Sequence, residues 1–180
     1  HMALFMGRAA IHTRDGGRTF EPLDLEAMLG EDEPFIQAAS DNGSGVLYLW
    51  TDRGVGYRYE EGVATRLEPH SYVQAVWTLD DRVCAVGGGE IWTSQDAGAT
   101  FEHFEHPRMY LRTVWGDAFG RLIACGNRGD LFVSHNGGLS WEGEQVTTAY
   151  SWNSIWFAPG QTVWLASNDG PMFQGELRRE

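Results

Sequence analysis

Basic residues are scarce in this sequence. It holds 13 Lys and Arg against 25 Asp and Glu, a net charge of −12 over 180 residues. Such a surface repels phosphate backbones and anionic lipid, which argues against nucleic acid as a partner. Long apolar runs are missing too: none approaches the ~18–20 residues of a membrane-spanning helix. The first residues lack the basic region and apolar stretch of a secretory signal, and His1 and Met2 read as a vector remnant. Cysteine is limited to Cys84 and Cys125, in V-C-A-V-G and I-A-C-G, with no CxxC or Cys/His metal spacing. Two buried free thiols are expected, which favours a reducing compartment such as the cytoplasm. Six prolines exclude a Pro-rich stalk. No Gly-rich phosphate cradle precedes a helix, so neither a nucleotide nor any other cofactor is expected.

What the chain does have is glycine, 23 residues of it, and aromatics, with eight Trp, nine Phe and six Tyr. These are organised by a repeat. Three segments share one pattern of hydroxyl, any, Asp or Asn, any, Gly, any, hydroxyl, aromatic. They are Thr13-Arg14-Asp15-Gly16-Gly17-Arg18-Thr19-Phe20, Ser94-Gln95-Asp96-Ala97-Gly98-Ala99-Thr100-Phe101 and Ser134-His135-Asn136-Gly137-Gly138-Leu139-Ser140-Trp141. The second and third begin 40 residues apart, and the first and second 81 apart, or two periods. Between them, Arg58-Tyr59-Glu60-Glu61-Gly62-Val63-Ala64-Thr65 reads as an eroded copy that keeps the acid and the glycine.

The pattern resembles the Asp-box, or BNR repeat, of sialidases, some β-glucan-degrading enzymes, sortilin-type receptors and a photosystem II assembly factor. Its physical content is a self-stapling hairpin turn. The Asp or Asn side chain accepts backbone N–H groups, and the glycine takes a positive φ. The first hydroxyl is expected to bond the facing backbone, and the last aromatic to pack into the apolar layer. In the families resembled, the motif lies away from the active face. Thr13, Asp15, Gly17, Ser94, Asp96, Gly98, Ser134, Asn136 and Gly138 are therefore read as structural.

Strand-like runs surround these turns. Val46–Trp50, Arg82–Gly87 and Arg121–Gly126 precede the turns, and Phe35–Ser40, Tyr72–Trp77, Tyr110–Trp115 and Ser151–Trp156 come earlier in each period. The expected fold is all-β, a β-propeller of Asp-box repeats in one domain over 3–180. Its five repeats fall at roughly 3–30, 34–68, 72–106, 110–146 and 151–180. They supply three, four, four, four and three strands, eighteen in all. The first repeat lacks an inner strand and the last an outer one. Unpaired blade edges are adhesive, which predicts a homodimer. Leu23–Leu29 is the one segment with helical spacing.

Chemistry is harder to place. Sialidase action requires an Arg triad, a Tyr–Glu nucleophile and an Asp acid/base, and the family's Phe/Tyr-Arg-Ile/Leu-Pro motif is missing here. A glucan hydrolase requires two carboxylates across a cleft. Asp80, Asp81 and Asp117 follow first strands, where acids are ordinary turn residues. His103 and His106 lie on opposite faces of a strand, so no metal site is expected. On the inner strands, Gln37, Gln74, Arg112 and Asn153 recur at one position, with Trp77, Trp115 and Trp156 three residues on. These seven are the candidate ligand-binding residues at the channel mouth; inter-blade packing is the other reading of the three Trp. The chain is thus read as a non-catalytic binding or protein-interaction module with a protein or carbohydrate ligand. The alternatives are a divergent glycoside hydrolase and an assembly factor for a larger complex.

Overall fold

Runs such as Leu47–Thr51 and Leu122–Gly126 have no polar face, and strands of that kind need cover on both sides. Both are buried along their whole length. The cover comes from neighbouring sheets. The computed structural model describes residues 2–6, 9–13, 15, 17–24, 29, 35–68, 71–106, 110–145, 150–158, 162–168, 170 and 172–176. Most of the segment with helical spacing, 25–28, lies outside them.

Among the described residues, eighteen strands form five antiparallel sheets. The first holds β1 (Met2–Met6), β2 (Ala9–Thr13) and β3 (Glu21–Leu23). The second holds β4 (Ile36–Asp41), β5 (Leu47–Thr51), β6 (Gly56–Glu60) and β7 (Val63–Leu67). β8 (Ala75–Leu79), β9 (Arg82–Gly87), β10 (Glu90–Ser94) and β11 (Glu102–Glu105) make the third. The fourth contains β12 (Leu111–Gly116), β13 (Leu122–Gly126), β14 (Asp130–Ser134) and β15 (Glu142–Gln145). β16 (Trp152–Ala158), β17 (Thr162–Ser167) and β18 (Phe173–Glu176) close the series. Within each sheet the strands lie in chain order, and β4, β8, β12 and β16 pack side by side as inner strands. The expected strand count, including the incomplete first and last sheets, is the observed one.

The core is a series of layers between sheets. Tyr48 and Trp50 meet Val73, Val83 and Ala85 between the second and third sheets. Trp77, Cys84 and Val86 meet Leu111, Val114 and Leu122 between the third and fourth. Ile123, Cys125 and Val133 meet Trp152, Ile155 and Leu165 between the fourth and fifth. Cys84 and Cys125 are free and buried in these layers, and burial pushes both thiols well up from their ordinary range.

The three repeated turns carry one hydrogen-bond scheme. The hydroxyl oxygens of Thr13, Ser94 and Ser134 accept the N–H of Gly17, Gly98 and Gly138 at 2.9, 2.8 and 2.8 Å. The Asp15, Asp96 and Asn136 side chains accept the N–H of Thr19, Thr100 and Ser140 at 2.9, 2.9 and 3.0 Å. The three glycines have φ of +90°, +87° and +93°. The first hydroxyl thus closes its own turn and does not reach the facing strand, because the glycine N–H points back at it. The eroded copy differs more. Glu61 and Gly62, at φ of +49° and +88°, join β6 to β7 by a two-residue turn. It keeps the topological place of the other turns without their side-chain scheme.

Ser94 is 2% exposed, so Ser94→Ala strands the buried Gly98 N–H and is expected to cost about 1–3 kcal/mol in denaturant unfolding. A second expectation follows from charge. Bonds from the Thr19 backbone and hydroxyl hold the Asp15 carboxyl down at about 2, and the Thr100 hydroxyl and backbone do the same for Asp96. The unfolded chain therefore binds protons first. The stabilisation is complete above about pH 4 and is lost as pH falls through about 2. Asn already serves at position 136. Asp15→Asn with Asp96→Asn should therefore flatten the acid limb of the stability profile, read by thermal unfolding between pH 5 and 2.

Candidate functional site

Two ends of the sheet stack can be told apart by backbone bonds. At one end, two of the three repeated turns lean on the turn between the first two strands of their own sheet: Ala97 N–H donates to Asp81 O at 2.7 Å, and Gly137 N–H to Gly120 O at 2.8 Å. At the other end, the turns after second strands hold the starts of inner strands. Asp52 N–H donates to Phe35 O at 2.8 Å, and Asn127 N–H to Tyr110 O at 2.9 Å.

Asp80, Asp81 and Asp117 belong to the first end. Asp80 occupies a left-handed turn position, φ +52°. Asp117 accepts the Phe119 and Arg121 N–H groups at 2.9 and 3.0 Å and pairs with the Arg121 guanidinium. That carboxylate is a turn staple. The histidines are likewise apart: His103 stacks on Trp92 with ring centroids 3.9 Å apart, and His106 lies 5.7 Å from the Phe132 ring.

The polar set lies at the other end, and each member sits on a defect in the ladder. Register slips between Ile36 and Ala38, between Leu111 and Thr113, and between Trp152 and Ser154. Gln37, Arg112 and Asn153 are the extra residues. In the third sheet Gln74 donates its N–H to Val86 O at 2.7 Å while Ala75 is registered against Val86, so two residues again oppose one. Bulges of this kind re-aim a side chain out of the pleat's alternation. The structure brings two of the four, Arg112 and Asn153, into contact. Arg112 Nη1 donates to Asn153 Oδ1 at 2.9 Å across neighbouring sheets, and Gln74 Nε2 to the Tyr72 hydroxyl at 2.5 Å.

The three Trp are not brought to this set. Trp77 is 8% exposed and packs with Cys84 in the layer between sheets, under the Arg82 guanidinium at 5.8 Å. Trp115 pairs across the ladder with Ile123, and Trp156 with Trp164, in the same position. Trp77 faces the following sheet in that layer, whereas Trp115 and Trp156 are 38% and 57% exposed. For Trp77 the inter-blade packing reading is the one the structure shows.

Sequence reasoning missed the exposed aromatics just before the inner strands. Phe35, Tyr72 and Tyr110 occupy one position in three consecutive sheets, two residues before the polar set, and are 49%, 47% and 42% exposed. Their recurrence at that offset was the available signal. Also missed were Gly87 and Gly126, the last residues of second strands. A β-carbon on either would collide with the carbonyl oxygen of Tyr72 or Tyr110 respectively.

With this geometry in place, comparison with known proteins identifies the architecture. The chain has a β-propeller fold. It aligns with YCF48 in a structure of YCF48 bound to D1 peptide at TM-score 0.70 and 16% identity, over 95% of this chain and 60% of that one. The WD40 repeats of RRP9 align at TM-score 0.78 and 12% identity, over 98% and 57%. The computationally designed Ika4 protein aligns at 0.68 and 12%, over 84% and 96%. The chain thus spans about 60% of the length of the YCF48 chain. No family model matches the sequence, and no curated protein matches it.

Gly126→Ala is expected to destabilise the protein by about 1–3 kcal/mol through this backbone clash. It should also displace the Arg112 bulge, visible as altered amide shifts at Tyr110–Thr113 by NMR.

Proposed function

We propose that this chain is a non-catalytic protein-interaction module, an Asp-box propeller that binds an extended peptide where its inner strands begin. The observation that carries the reading is the repetition of an exposed aromatic and a bulged polar side chain, two residues apart, in consecutive sheets. Phe35, Tyr72 and Tyr110 offer rigid apolar surface. Gln37, Gln74 and Asn153 offer amide donors and acceptors that suit a peptide backbone, and Arg112 adds the set's single charge. A fold relative, YCF48, has been seen bound to D1 peptide, which supports peptide as the ligand class; fold alone does not decide it.

The hydrolase reading has less support. Among the described residues the carboxyls displaced from ordinary values, Asp15 and Asp96, are displaced downward and lie in turns, whereas a general acid needs its pKa raised. An assembly-factor role is one form that peptide binding could take.

The test is selection of a displayed random-peptide library on the folded protein, followed by titration of the selected peptides. Tyr72→Ala with Tyr110→Ala is expected to weaken binding tenfold or more while the thermal midpoint holds. Peptides bound equally well by the double variant, or none selected at all, would refute the site. Glycan-array binding that depends on the same tyrosines would move the ligand class to carbohydrate.

A further inference from the structure

Each contact between consecutive sheets has a leading face and a trailing face, and the residues recur. On the trailing side stand the cross-strand pairs Trp77–Cys84 and Trp115–Ile123. On the leading side stand the aromatic that ends the repeated turn and a third-strand residue. Phe101 meets Trp50 of the preceding sheet edge-on at 6.3 Å, and Trp141 and Phe132 pack into the layer with Trp77 and Ile91. The turn itself is also engaged: its carbonyls accept from the preceding sheet, Ala97 O from the Tyr48 hydroxyl at 3.2 Å and Gly138 O from Thr93 at 3.1 Å.

The first and fifth sheets show these two faces uncovered. In the fifth, Trp156–Trp164 occupies the place of Trp77–Cys84. Yet Trp156 is 57% exposed, beside an apolar cavity of about 370 Å³ lined also by Ala166 and Met172. In the first, Phe20 stands where Phe101 and Trp141 stand, and Ile11 where Phe132 stands. Phe20 is 43% exposed and Ile11 is exposed beside it. Among the described residues no packing like that between consecutive sheets joins the first sheet to the fifth.

We propose that the Trp156 face docks the Phe20 face of a second copy of this chain, head to tail, repeating the contact that joins the second sheet to the third and the third to the fourth. The two faces are complementary because the second–third and third–fourth junctions are built from that same pair. Being heterologous, the contact propagates until it closes. The net charge of −12 opposes it, and screening within ~8 Å at physiological salt relieves that opposition.

The experiment is light scattering on the full chain over a concentration series. Wild type is expected to exceed its 20.1 kDa monomer mass, more so as salt rises. Trp156→Asp and Phe20→Asp are each expected to sediment and scatter as monomers. Mixing the two variants should restore one junction and give a species of twice the monomer mass. Both positions are solvent-facing in the isolated chain, and unchanged near-UV circular dichroism checks that each variant is folded. A wild type that stays monomeric at every concentration overturns the proposal. So does association that survives Phe20→Asp, which would mean a face-to-face dimer, or a mixture that stays monomeric. The readout is independent of the peptide site, since neither variant touches the inner-strand mouth.

Discussion

The bond from the Gly98 N–H to the buried Ser94 hydroxyl, with its counterparts at Gly17 and Gly138, is the constraint on which the stacking depends. A hairpin turn that meets a neighbouring sheet must keep its own N–H groups from being stranded as water is excluded. Here the hydroxyl takes the glycine N–H and the Asp or Asn takes the next ones. The turn's carbonyls are then left pointing outward. Those of Ala97 and Gly138 are the ones the preceding sheet reaches, through Tyr48 and Thr93. The same side-chain scheme thus shapes the turn and presents its acceptors to the neighbour. Remove the hydroxyl and both functions fail together.

Much of this was legible before any coordinates. The eight-residue pattern announces its own hydrogen bonds, because an acceptor side chain two residues after a hydroxyl and two before a glycine has few other uses. The 40-residue period then implies the sheets, and the apolar runs at Leu47–Thr51 and Leu122–Gly126 imply cover on both faces. The polar ring was also visible as a recurring position. What the sequence could not show was the bulge. A bulge is a property of pairing, and in the third and fourth sheets Gly87 and Gly126 let the chain press against Tyr72 and Tyr110 beside it. Counting by twos separates Trp77, Trp115 and Trp156 from the polar residues three positions earlier, and Trp77 is buried against the next sheet. Phe35, Tyr72 and Tyr110, two residues before the polar position, are exposed where the inner strands begin.

The two ends of the stack then differ in how their polar groups are used. At the end with the repeated turns, the acids are consumed locally: Asp96 by Thr100 and Ser94, Asp117 by Arg121 and two backbone donors. A ligand arriving there would have to compete with bonds that the fold itself requires, so binding and stability could not be varied separately. At the other end the backbone is held by backbone, through Asp52 to Phe35 and Asn127 to Tyr110. The side chains of the bulged positions take no part in those backbone bonds, and Arg112 and Asn153 bond each other across two sheets. Gln37 and Arg112 stand in solvent, and they could be exchanged without touching the ladder that supports them. A repeat built this way confines its structural chemistry to one end of the sheets and leaves the opposite end free to acquire specificity.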